Sequence, residues 1–164
     1  MRSAWGARRT NLDGAYLMSN SLTLAIHLFA AALWIGVLGV EFILEQSRTR
    51  SRDHGFNVAS IHYHIDVWLE TPAFCVVLIT GAMLLDGSRL SGLYLLKVAM
   101  GLTAISGNVM CVYAIVRRKW SADQQDFSGL VRYSRMVDQL SAIAVPAGFI
   151  ALFCGFYLVH GASR

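Results

Sequence analysis

The sequence is poor in charge for its length. Only 15% of its 164 residues are charged, whereas a soluble domain of average composition carries about 25%. It contains no G-x-S-x-G nucleophile motif and no Gly-rich phosphate loop. The common patterns of soluble hydrolases and nucleotide-binding proteins are therefore excluded.

Cysteine motifs are also missing, and we do not expect the first 20 residues to act as a signal peptide. The three cysteines, Cys75, Cys111 and Cys154, form neither a C-x-x-C pair nor the C-x-x-C-H signature of c-type haem attachment. They fall at different depths of apolar segments, so we expect small buried residues rather than a shared site. Residues 1–20 lack the apolar core of a signal peptide, and we expect residues 1–21 to form an N-terminal arm.

Long apolar runs are what the chain has instead. The mean hydropathy is +0.50, and each of four runs is long enough to cross a hydrocarbon core about 30 Å thick. In lipid, only helices of this kind satisfy their own backbone hydrogen bonds. We predict an all-α polytopic membrane protein, with four transmembrane helices in an up-down-up-down bundle. The predicted domain covers 22–160, residues 161–164 form a tail, and the spans are about 22–44, 67–85, 93–116 and 140–159.

The basic residues predict the orientation in the membrane. They concentrate in the two longer connections, 46–62 and 117–135, and fewer lie on the opposite side. The positive-inside rule then places both connections in the cytoplasm and both termini outside, in what we expect to be a bacterial inner membrane. The net charge of +4 is therefore attributed to topology and anionic lipid, with no nucleic-acid partner expected.

Two ionisable residues interrupt the apolar runs. His27 is in the first span and Lys97 is in the third. Both spans run in the same direction, and at 1.5 Å per residue both residues lie roughly 8 Å inside the outer boundary. Residues of this type inside a membrane usually face the bundle interior and mark functional sites. Each also has a simple structural explanation: Lys97 can snorkel to the headgroups, and His27 can hydrogen bond a neighbouring helix.

A second layer of polar residues is predicted at the opposite end of the spans. In the second span, His62, Asp66 and Glu70 are spaced to share one helical face. Carboxylates and imidazoles on facing helices are the materials of metal sites in bundles, although the Glu-x-x-His pair of di-iron proteins is missing. Hydrated charge at helix ends is the alternative explanation. The layer comprises Glu41, His62, His64, Asp66 and Glu70, with Glu45, Asn108 and Asp138 nearby.

Three segments resemble a known group of membrane proteins. The first span, from His27 through Trp34 to Gly36, is similar to the first helix of CopD-like proteins and of HemJ-type protoporphyrinogen IX oxidases. Glu70-Thr-Pro-Ala-Phe and Leu95-Leu-Lys-Val are similar to the second helix and to the start of the third. After the glycine, however, HemJ-type proteins usually carry a Leu-Pro-Arg stretch ending in Tyr-His, which this chain replaces with another sequence.

The resemblance implies a haem b site. His27 would be an axial ligand of the iron, and Lys97 the second ligand or the partner of a propionate. Trp34 and Tyr157 are further candidate contacts of the cofactor. We therefore predict a b-type haem protein in electron transfer or porphyrin- or quinone-linked redox chemistry, within a partner complex or homo-oligomer. The alternatives are an accessory subunit of a respiratory or photosynthetic complex, and transport of copper or another small solute; the sequence leaves open whether the protein is an enzyme.

Overall fold

A long helix opens the fold. In the computed structural model, which describes residues 3–85, 87 and 92–161, and side chains within 18–158, helix α1 spans Ser3–Ser47. The predicted N-terminal arm is thus helical from Ser3 and continues into the first apolar run. The tail beyond residue 161 lies outside the described residues.

Four further helices complete the fold, and the described part of the chain contains no strand. They are α2 (Arg52–Ile65), α3 (Thr71–Met83), α4 (Gly92–Asp123) and α5 (Phe127–Gly161). A 3₁₀ turn, Arg48–Arg50, joins α1 to α2, and a π turn, Asp66–Glu70, joins α2 to α3.

The all-α prediction with four spans is confirmed. Four helical segments are long and apolar enough to cross a membrane, and each overlaps one of the predicted runs. They are Met18–Arg50, Arg52–Met83, Gly92–Asp123 and Phe127–Leu158.

The helices pack as two antiparallel pairs. Helix α4 lies along α5, α1 lies along α3, and α2 contacts α4 and so joins the pairs. Gly107 of α4 permits a close approach to α5, because a Cβ there would lie only 2.8 Å from the Cβ of Ala144. The main apolar core combines Trp34, Ala73, Phe74, Ala104 and Ala147.

The two predicted loops are mostly helical. Helix α2 occupies most of 46–62, and its N-cap Ser51 accepts a hydrogen bond from the His54 N–H at 3.1 Å. Only residues 124–126 separate α4 from α5. We call the end of the bundle that carries these two connections the basic end.

Asp126 caps the start of α5. Its Oδ1 accepts from the Ser128 hydroxyl at 2.7 Å and from the Ser128 N–H at 3.1 Å. The Ser128 hydroxyl, together with the N–H groups of Gly129 and Ser128, stabilises the carboxylate and lowers the pKa of Asp126. The cap explains why α5 begins at Phe127 and extends its basic first turns beyond the apolar run.

Candidate metal centre

A buried polar cluster lies between the main core and the basic end. Four elements contribute to it: α1, α2 with the π turn that follows, and α4. Its side chains are almost fully enclosed, with Asp66 0%, Arg118 1%, Glu70 2% and His62 3% exposed. We use the name polar cluster for Glu41, Glu45, His62, Asp66, Glu70, Asn108 and Arg118.

His62 is at the centre of the polar cluster. Its Nδ1 lies 2.5 Å from Glu45 Oε1, and Arg118 Nη2 donates to the same oxygen at 2.7 Å. The two nitrogens are themselves only 3.1 Å apart. Because the guanidinium can only donate, the consistent arrangement has both N–H groups donating to Glu45. With the proton on Nδ1, the lone pair of the neutral ring is on Nε2.

The Nε2 side of His62 faces two carboxylates. Nε2 lies 3.3 Å from Asp66 Oδ1 and 3.6 Å from Glu41 Oε2, and one ligand atom from each of these three residues lies within 4.8 Å of the others. Two ligand atoms bound tetrahedrally to an ion at about 2.1 Å lie about 3.4 Å apart. The two distances from Nε2 therefore match the edges of a metal coordination sphere.

The carboxylate oxygens at this position are short of donors. Neither oxygen of Asp66 has a hydrogen-bond partner among the described residues, and the same holds for Glu41 Oε1. Asp66 Oδ1 is at ion-pair distance from His62 but lacks the alignment of a hydrogen bond. A buried charged oxygen without a donor is costly, and buried charges are normally paired or coordinate a metal.

The π turn keeps the side chains of His62, Asp66 and Glu70 on one side of the helical segment. In a continuous α-helix, residues spaced by four drift by about 40° per step, so His62 and Glu70 would diverge. The wider turn, closed by the Thr71 N–H on Asp66 C=O, offsets that drift. Pro72 explains its position, because proline lacks an N–H and its ring clashes with the carbonyl four residues earlier.

The polar cluster extends deeper into the bundle through Glu70. Trp34 Nε1 donates to Glu70 Oε1 at 2.9 Å. Nearby, Asn108 is 4% exposed and its Nδ2 has no partner within the described part of the chain. Counting Glu41, Glu45, Asp66 and Glu70 as ionised, four carboxylates surround one guanidinium and one imidazole. A bound cation would therefore favour the ionised forms of these four carboxyl groups.

The structure separates the residues predicted for the haem site. His27 Nδ1 lies 2.9 Å from Thr80 Oγ1, and its ring packs beside Gly81 of α3. Lys97 is half-buried beside Gly155 of α5, where the absence of a side chain leaves room for its stem. His27 therefore contacts α3, whereas Lys97 contacts α5. Trp34 instead belongs with Glu70, and Tyr157 is 68% exposed.

Four of the five residues predicted for the second layer come together. Glu41, His62, Asp66 and Glu70 are buried in the polar cluster. His64 is exposed, and its Nδ1 pairs with the Ser60 carbonyl oxygen at 2.7 Å. The structure therefore places His64 on the outside of α2.

Arg118 is a member of the polar cluster that the sequence patterns did not single out. Its place in a run of basic residues predicts a cytoplasmic loop, yet α4 continues through it and buries it. The sequence does contain a signal for its burial. The small and polar residues of α4 are spaced by four and three and so share one helical face, which includes Lys97, Gly101, Ala104, Asn108 and Cys111. The same spacing continues to Ile115 and Arg118.

Comparisons of this chain with protein-family models, with curated proteins and with solved structures give no match. A functional assignment therefore depends on the geometry of the polar cluster and of the His27 layer.

Proposed function

We propose that this membrane protein binds a divalent transition-metal ion between Glu41, His62 and Asp66. The observation that carries the proposal is that the two ring nitrogens of His62 face different partners. Glu45 holds Nδ1, and Nε2 faces one oxygen of Asp66 and one of Glu41 at coordination spacing, of which the Asp66 oxygen has no hydrogen-bond partner among the described residues. A carboxylate behind a histidine is the usual outer-shell partner of a metal-ligating imidazole, since it fixes the tautomer and strengthens the donor.

The donor set indicates the class of metal. One imidazole and two carboxylates suit Zn²⁺, Mn²⁺ or Fe²⁺, whereas Cu(I) prefers thiolates and thioethers. The ligand set therefore supports one of these borderline or hard ions over the copper of a copper-uptake protein. Three protein ligands leave a coordination position for water or a substrate, as in catalytic rather than structural sites.

Substituting the central imidazole tests the proposal. The His62→Gln variant should lose the Nε2 ligand and bind Zn²⁺ or Mn²⁺ at least about 100-fold more weakly, since even outer-shell changes cost 10–100-fold. Purified protein is stripped with chelator, reloaded and measured by titration calorimetry and elemental analysis. His64→Gln is the matched control, because it removes an exposed imidazole from the same helix.

Wild type and His64→Gln should each retain about one ion per chain, as three ligands in a single site require. Absence of stoichiometric metal from reloaded wild type would refute the proposal. Equal losses in the two histidine variants would do the same, because they would indicate weak surface binding.

A second candidate function is haem b binding at His27, as the resemblance implies. The specific observation in its favour is the pairing of Nδ1 with Thr80. The Thr80 hydroxyl donates to the Val76 carbonyl at 2.6 Å, so its oxygen accepts from the Nδ1–H of His27. This tautomer presents Nε2 to a ligand, as in haem proteins with an axial histidine. Lys97 fits the role of a propionate partner, and a bound haem would supply one-electron redox chemistry.

Visible spectroscopy distinguishes the haem proposal from the metal proposal. If His27 is an axial ligand, protein produced with sufficient haem will show a Soret band that His27→Ala shifts or removes. The control His64→Ala should leave the band unchanged. A featureless spectrum in wild type, or a band that His27→Ala does not alter, would eliminate haem ligation at His27 without affecting the result for His62.

We also propose that the basic end faces the cytoplasm of a bacterial inner membrane, with the termini on the periplasmic side. The support is a belt of basic and aromatic side chains: the Arg117 guanidinium lies 4.7 Å from the Trp120 ring centre and 5.6 Å from that of Tyr133. Such residues favour headgroup level. The accessory-subunit role stays a prediction, because exposed apolar helix faces are expected of any lipid-facing bundle.

A further inference from the structure

A cavity of about 330 Å³ opens at the basic end, and Arg118 is one of the residues that line it. It lies between the α1–α2 connection, α2, the end of α4 and the start of α5. Its apolar wall includes Val58, Phe127, Leu130 and Val131. Four arginines line it, namely Arg48, Arg52, Arg118 and Arg135.

Arg118 is the buried residue of this set. Only 1% of it is exposed, and its Nη2 is used by Glu45. Its Nε and Nη1 have no partner in the part of the chain that the structure describes. Two guanidinium nitrogens buried without acceptors are costly. Because Arg118 also lines the cavity, a turn of its guanidinium toward the cavity would let an anion there accept from these nitrogens.

The other arginines leave a positive balance around the cavity. Arg48 is neutralised by Glu45 and by Asp138, the latter through two contacts of 2.6 and 2.8 Å. Arg52 is held in place by the Gln125 carbonyl at 3.2 Å and by the rings of Phe56 and Phe127. These contacts orient Arg52 without removing its charge, because neither a carbonyl nor a ring is ionised.

We propose that this cavity binds a phosphate group, supplied by an anionic phospholipid headgroup or by free phosphate. The planar guanidinium fork matches phosphate oxygens and bonds them in pairs. The apolar wall suits the glycerol end of a lipid, and the Trp120 and Tyr133 belt places this end of the bundle at headgroup level. This site is separate from the proposed metal site, and Arg118 borders both.

The test compares two variants: one removes an arginine that lines the cavity, and the other removes a neighbouring arginine outside it. Arg135 is exposed and lines the cavity, whereas Arg132 is equally exposed on the same helix and does not. The experiment uses wild type and the two variants Arg135→Gln and Arg132→Gln. Each is reconstituted in nanodiscs under three conditions at matched ionic strength: phosphatidylcholine alone, phosphatidylcholine with phosphatidylglycerol, and phosphatidylcholine with inorganic phosphate. Thermal stability and retained lipid, by native mass spectrometry, are recorded without added metal.

We expect phosphatidylglycerol or inorganic phosphate to raise the Tm of wild type and Arg132→Gln. In Arg135→Gln the apparent affinity for the same ligand should fall about tenfold, the loss of one charge-assisted contact. A response to the lipid alone identifies a headgroup, and a response to both identifies the phosphate group itself. Equal losses in the two variants would overturn the proposal, because they indicate diffuse attraction to anionic lipid; so would the absence of any response in wild type.

Discussion

Asp66→Asn will bind a divalent ion at least about 100-fold more weakly than wild type, yet its metal-free form will be more stable. The substitution removes an anionic ligand, which accounts for the lost affinity. It also removes one charge from a buried set in which carboxylates outnumber cations and in which neither Asp66 oxygen has a partner among the described residues. Relief of an uncompensated buried charge should stabilise the metal-free protein by about 1–2 kcal/mol.

Opposite effects on binding and stability are the signature of a functional site. Calorimetric metal titration and thermal unfolding with chelator measure the two quantities. Asp53→Asn, an exposed acid at the start of α2, should change neither. If Asp66→Asn destabilises the metal-free protein, then Asp66 is primarily an ion-pair partner of His62 and the site is structural.

Arg118→Met will destabilise the protein by about 3–5 kcal/mol. The guanidinium is the one arginine or lysine in the polar cluster, and its loss leaves Glu45 with only His62 and the partly exposed Arg48 as charged partners. Removing one partner of a buried pair leaves an uncompensated charge, whose cost is of this size. The measurement is the free energy of unfolding in detergent with a denaturant.

Arg117→Met provides the comparison, since it removes the same group one position earlier. Arg117 contacts Trp120 and Tyr133 at the surface, so the expected change is below about 1 kcal/mol. Similar losses in the two variants would show that Arg118 contributes through helix packing rather than through Glu45.

The spans and the inward faces could be predicted from the sequence because they depend on periodicity and length. Trp34 and Glu41 are spaced to share one face of α1 and are both buried, and so are His62, Asp66 and Glu70. The connections could not be predicted in the same way. Charged segments resemble loops, but here Arg48 of the 3₁₀ turn pairs with Asp138 of α5, and Ser51 caps α2. Such contacts stabilise helices that composition alone disfavours.

The π turn at the centre of the site could not be predicted from residue patterns. Pro72 indicates that the helix is disturbed nearby, but not that a π turn would keep His62 and Glu70 on one side. Burial of Arg118 depends on Glu45 lying opposite it, which is a long-range contact. The pairing of His27 with Thr80 likewise needs two spans in register, and whether that layer holds haem stays a prediction.

The oxygen that Arg118 and His62 share makes the two sides of the guanidinium thermodynamically linked. An anion that draws Arg118 toward the cavity leaves more of the Glu45 charge to the imidazole, which strengthens Nε2 as a donor. Any such effect must be reciprocal: an ion on Nε2 would change the affinity for the anion by the same factor. Couplings of this kind typically amount to about 1–3 kcal/mol. A single carboxylate oxygen would then let the composition of the headgroup layer set the occupancy of a centre buried inside the bundle.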